Sequence, residues 1–199
     1  SRRESPHCHN NRGPHHQRQH AEAPRHQQIQ WGKQMTNPRA TSDSVLALFM
    51  TEGHSFSARN LATAAHRAAK FRRTDLRRDH RMTALADAAR ARLSEFSSQE
   101  LANMAWAFAT ARVDARDLFN AIAEAARLRL GEFSSQHLAN MAWAFATARV
   151  EAHGLFNAIA EAARLRLSEF NSQQLANTAW AFATARVEAH DLFNAIADA

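Results

Sequence analysis

A single cysteine, Cys8, rules out any internal disulfide framework and fits a reducing compartment. Five glycines and four prolines in 199 residues leave little turn chemistry, and β-branched runs are absent. Sheets are therefore disfavoured, and long helices that approach one another closely are favoured. Tyrosine is absent, and no apolar run nears the roughly 20 residues that a membrane span needs. There is no glycine-rich phosphate loop, no nucleophile elbow and no His-Glu-x-x-His zinc motif. The carboxylates recur at capping and surface positions, which explains them without chemistry. The expectation is a chain that is not an enzyme, with no catalytic residues, cofactor, small-molecule substrate or membrane association.

What is abundant is alanine and unevenly placed positive charge. The net charge of +6 conceals a net of +5 in residues 1–40 and a net of +7 in residues 54–93. The stretch 41–53 and the chain from Ser94 onward are mildly acidic. A local basic block beside near-neutral sequence suggests one end of a surface that attracts polyanions. His7, Cys8, His9, His15, His16, His20 and His26 follow no zinc spacing, so no metal site is expected from them.

Internal repetition decides the fold class. LANMAWAFATARV at 101–113 returns unchanged at 138–150 and as LANTAWAFATARV at 175–187, an interval of 37. Units 94–130 and 131–167 differ at only five positions. Ser97 with Glu100 writes a capping box at a helix start, and Phe96 with Leu101 writes the hydrophobic staple around it. In the later units His137 and Gln174 stand where Glu100 stood. A second helix follows, with Asp114 as the expected N-cap and an apolar stripe through Phe119, Ile122, Ala126 and Leu130. Gly131 is the expected stop. Two helices per unit and no strand predict an all-α solenoid of antiparallel hairpins.

The organisation that follows is a disordered basic tail at 1–40, then a leading helix and a divergent repeat at 41–93. Repeats at 94–130 and 131–167 come next, and a truncated repeat at 168–199. Because the chain opens on Ser1 and stops part-way through a helix, it reads as a piece of something longer.

On a helical wheel Leu101, Ala105, Phe108 and Ala109 share an apolar face, and Glu100, Asn103, Ala107 and Thr110 lie opposite, with Met104 at the edge. Positions 100 and 104 change from unit to unit, giving Glu100, His137 and Gln174 at one and Met104, Met141 and Thr178 at the other. Asn103, Asn140 and Asn177 stay constant between them. Helical repeats that read RNA base by base use two or three such side chains. Drift of exposed positions after duplication would leave the same pattern. The asparagines suit a base edge or a neighbouring backbone carbonyl equally. Trp106, Trp143 and Trp180 read first as packing between hairpins, with base stacking as the alternative. Arg72, Arg73, Arg77 and Arg78, if helical, would form a basic ridge suited to phosphates; a solvated loop is the other reading.

The unit EFSSQELANMAWAFATA…LFNAIAEAA resembles the heptatricopeptide and octotricopeptide repeats of organelle RNA-binding proteins. Those repeats accompany RAP-domain and FAST-kinase-like proteins, and similar ones occur in subunits of RNA-editing substrate-binding complexes. The resemblance covers about residues 42–199. It implies an RNA-binding adaptor of transcript processing, stability or translation in a mitochondrion or plastid, with single-stranded RNA and possible protein partners. A protein-binding scaffold of the tetratricopeptide kind is the rival, since solenoid surfaces serve peptides equally well.

Overall fold

The computed structural model describes residues 22–71 and 75–198. Ten α-helices and no strand occur among them. They are α1 (Arg25–Thr36), α2 (Ser42–Glu52), α3 (Ala58–Lys70), α4 (His80–Arg90), α5 (Ser98–Ala111), α6 (Arg116–Arg127), α7 (Ser135–Ala148), α8 (His153–Arg164), α9 (Ser172–Ala185) and α10 (His190–Ala197). Odd-numbered helices pack in succession as one layer, and even-numbered helices as a second layer beneath. This is a helical solenoid.

Alanine makes the first layer possible. Ala102, Ala105, Ala107 and Ala109 of α5 are all buried, as are Ala139, Ala142, Ala144 and Ala146 of α7. Their small side chains let backbones lie close on both flanks. Phenylalanine fills the space between layers: Phe119 of α6 meets Phe145 of α7 edge to face at 5.1 Å, and Phe156 meets Phe182 in the same way.

The ends of the helices follow the sequence only in part. Ser97 caps α5 in a reciprocal box with Glu100, and Asn171 caps α9 in a box with Gln174. Ser134 caps α7, but His137 does not complete the box. The second helices start one residue later than Asp114 predicts: Ala115 is the N-cap and has no side-chain cap, while Asp114 is exposed, 3.7 Å from Arg116. Nor does Gly131 terminate a helix by its freedom of φ, for it lies in the 3₁₀ turn Leu130–Glu132, and no described glycine has positive φ. Left-handed backbone instead appears at Arg112, Arg149 and Arg186, which end α5, α7 and α9 with φ of 54°, 55° and 55°.

The expected disorder of residues 1–40 fails where it can be seen. Residues 1–21, with most of the histidine-rich stretch, lie outside the described residues, but 25–36 form α1 and join the first layer against α3. Only Trp31 and Met35 bury apolar surface there, too little to register as a period. The rest of the docking is polar. Gln28 donates to the Ser55 carbonyl and accepts from the Ser57 N–H, while Asn60 donates to both the backbone and side-chain oxygens of Gln28. Arg67 donates to the Met35 carbonyl at 3.0 Å. Together α1 and α2 give the array a hairpin ahead of the divergent one.

Candidate functional site

Each inner helix of the first layer is flanked by two first helices and underlain by the second layer. Three sides are covered, so only a narrow strip remains. On α5 that strip is Gln99, Asn103, Trp106 and Thr110, spaced four, three and four, so the residues lie in one line along the helix. The same line on α7 is Gln136, Asn140, Trp143 and Thr147, and on α9 it is Gln173, Asn177, Trp180 and Thr184. On the divergent α3 it is Arg59, Thr63, His66 and Lys70. The strips align into a surface of amides and indoles, with threonine at the end of each line, and its α3 end is basic.

Asn103, Asn140 and Asn177 are therefore on the accessible strip. Met104, Met141 and Thr178 are not; all three are buried between helices. Their candidacy as readers of a ligand is withdrawn. A wheel with one apolar and one polar side assumes a single packed face, whereas a helix inside a layer is packed on three. Thr178 supports the point, as its hydroxyl is spent on the Gln174 carbonyl one turn back, at 2.8 Å. Position 100 is half-buried and committed elsewhere. Glu100 accepts the Ser97 N–H at 2.7 Å and stands 3.7 Å from Arg59, while Gln174 accepts the Asn171 N–H at 3.0 Å. His137 has an Nδ1 without a partner, and burial holds its imidazole below the ordinary value. Glu100 and Gln174 thus cap their helices and His137 does not, so the variation at this position is variation in capping.

The described part of the basic block is not a helical ridge. Arg77 and Arg78 are exposed in the turn between α3 and α4, with the Arg77 N–H bonded to the Asp75 carboxylate. Arg72 and Arg73 lie outside the described residues.

The tryptophans do two things at once. Trp106 packs on His66 of the preceding unit, ring centroids 4.9 Å apart, yet part of its surface stays open. Trp180 is 48% exposed, on a helix that within its layer is flanked by α7 alone. Trp143 forms one wall of a cleft of about 550 Å³ that Thr110, Thr147, Arg77 and Arg112 also line. The Thr110 and Thr147 hydroxyls are buried without a hydrogen-bond partner. Thr63, by contrast, bonds its own helix at 2.8 Å. His66 is held below the ordinary value, first by burial and then by Lys70 and Arg67.

Sequence reasoning passed over Arg112, Arg149 and Arg186. Their signal was present in the repeated ATARV: an arginine stands where the chain leaves a helix, a place that glycine usually takes.

A protein-family model described as RESC6, RNA-editing substrate-binding complex 6 protein, matches residues 49–199, well over half of the chain. No curated protein matches it.

Proposed function

Since the chain belongs to the family of RNA-editing substrate-binding complex 6 proteins, we propose that it is a non-catalytic component of such a complex that holds single-stranded RNA on its first-helix strip. The observation that carries this reading is the strip itself. It offers amide and indole groups with no acid in its line on α5, α7 and α9, and it ends at Arg59 and Lys70 on α3. Unpaired bases present both flat faces and donor–acceptor edges, which indoles and amides match, and a basic end attracts the backbone. Arg77 and Arg78 extend that end. The organelle setting, mitochondrion or plastid, and the kinship with RAP-domain and FAST-kinase-like proteins belong to this same reading and rest on the LANxAWAFAT core.

One observation favours protein contact as well. Leu128 and Leu165 occupy the same position in successive units, just after the second helices, and are 79% and 73% exposed. A recurring exposed leucine outside the strip suits a neighbouring subunit. The two surfaces are compatible in an adaptor.

Anisotropy with a labelled single-stranded RNA and its duplex tests the reading. The single strand binds more tightly, and replacing Asn103, Asn140 and Asn177 together with alanine weakens it. Equal affinity for duplex and single strand, or none for either, would overturn it.

A further inference from the structure

The arginines that recur from repeat to repeat fall into sets, and all but one set is spoken for. On the second helices Arg127 pairs with Glu124 at 3.5 Å and Arg164 with Glu161 at 3.0 Å. After them, Arg129 and Arg166 donate to the carbonyls of Phe96 and Phe133. Arg116 faces Asp114. The remaining set is Arg112, Arg149 and Arg186. These are exposed, and their side chains make no hydrogen bond or ion pair to any described residue.

Each sits in left-handed backbone, where glycine or asparagine is accommodated at lower cost. The helix dipole favours a cation at this end, but an arginine in the last helical turn would serve it without the strain. The left-handed residue turns the chain sharply away, so the three side chains leave their helices at one repeated place beside the strip. Arg112 lines the cleft with Trp143 and the unpartnered Thr110 and Thr147 hydroxyls. Arg149 and Arg186 line the next groove with Thr184. Glu151 is in that groove too, and Asp75 in the first, but neither pairs with these arginines; the Asp75 carboxylate accepts the Arg77 N–H.

We propose that Arg112, Arg149 and Arg186 form a phosphate track, one guanidinium per hairpin, that holds the backbone of single-stranded RNA while the adjacent strip faces its bases. The inference rests on the RNA reading above and adds where the backbone runs. A guanidinium engages a phosphate through two parallel N–H bonds. Neighbouring helices in a layer lie about 8–10 Å apart, a step an extended strand spans with one or two nucleotides.

The test uses the full chain and fluorescein-labelled oligouridine over a range of salt. Replacing all three arginines with glutamine lowers the salt slope of log K by about 2 and costs at least about tenfold in affinity at low salt. Removing Arg127 and Arg164 in the same way changes neither. The triple glycine variant loses the same binding while its melting temperature rises, since glycine relieves the left-handed backbone; it also keeps the test open if the glutamine variant folds poorly. An unchanged slope in a triple variant, with wild-type binding intact, overturns the track and leaves the RNA reading standing. Equal losses in the Arg127/Arg164 control overturn it also, as does competition by polyglutamate as effective as unlabelled oligouridine, which would assign the row to an acidic protein. A wild-type chain that binds no oligouridine overturns both readings.

Discussion

Arg129 donates from Nη1 to the carbonyl oxygen of Phe96 at 2.9 Å, so a residue just past the second helix of a hairpin grips one just ahead of its first. Arg166 does the same to Phe133 at 2.8 Å and Arg92 to Phe56 at 2.6 Å. Each hairpin is thereby closed on itself. Between hairpins, the Ser98 hydroxyl donates to the Glu132 carbonyl and Ser135 to Glu169.

The clamps differ in environment, and that difference predicts their weight. Arg92 is buried and also engages Glu22 and Glu95, whereas Arg129 and Arg166 keep partial contact with water. Arg92→Ala therefore costs about 1.5–3 kcal/mol, because it leaves a buried carbonyl without its charged donor. The same change at Arg129 or Arg166 costs about 1 kcal/mol or less, as solvent replaces the lost bond. Urea unfolding of the three variants gives the order. Equal losses at all three positions would show that burial does not grade them.

Phe119 is buried and set edge-on to Phe145 across the two layers. Its truncation to alanine should cost about 3–5 kcal/mol, since neighbours fixed in adjacent hairpins cannot collapse into the space. Leu128→Ala, a few residues on and exposed, should stay within about 0.5 kcal/mol of wild type. Unfolding midpoints separate the two. A Phe119 variant as stable as the Leu128 variant would mean that the interlayer aromatics add nothing.

The fold was legible because repetition amplifies weak signals. Ser97, Phe96 and Phe119 each carry modest information, but the same types recur at one interval, and only a stack of hairpins uses them all. Helix α1 was not legible, for it docks by Gln28, Asn60 and Arg67 rather than by an apolar stripe. Within the candidate site, Asn103 falls on the accessible strip, whereas Asn60 on the alanine-rich α3 is buried against Gln28, so residue type alone did not decide which asparagine faces outward. Met104 was misplaced because a wheel drawn for one helix does not show the helix beside it. Arg112 was passed over for a different reason: the repeated ATARV marks where a helix ends, but not that an arginine there adopts left-handed backbone.

The placement of positions 100 and 104 reverses what their variation suggests. Glu100→Gln with Met104→Thr would make the first full unit resemble the third, and a base-reading role would then shift RNA preference. Since Met104 is buried and Glu100 completes a capping box, stability changes instead and the preferred motif does not. Loss of a buried methionine side chain dominates, at about 2 kcal/mol or more, while glutamine keeps the box as Gln174 does. Selection from a random RNA pool and a thermal melt read the two effects. A changed motif with unchanged stability would restore these positions as readers.

The two perturbed histidines give the array a pH dependence of definite sign. His66, stacked on Trp106, is held below its ordinary value of 6.5 by burial and by Lys70 and Arg67, and His137 is held below it by burial. Above that value both are neutral in the folded and unfolded chain, and they contribute no slope. As pH falls through 6.5 the unfolded chain takes up protons that the folded chain refuses, so stability declines until the folded imidazoles also titrate. The melting temperature should therefore drop between about pH 7.5 and pH 5.5, above the range in which carboxylates protonate. A His66→Gln, His137→Gln double variant removes these two contributions and should flatten the fall, with His66→Gln alone giving part of it. Thermal melts of the three proteins across that interval check the assignment. If the double variant fell as steeply as wild type, the acid sensitivity would have to come from other groups.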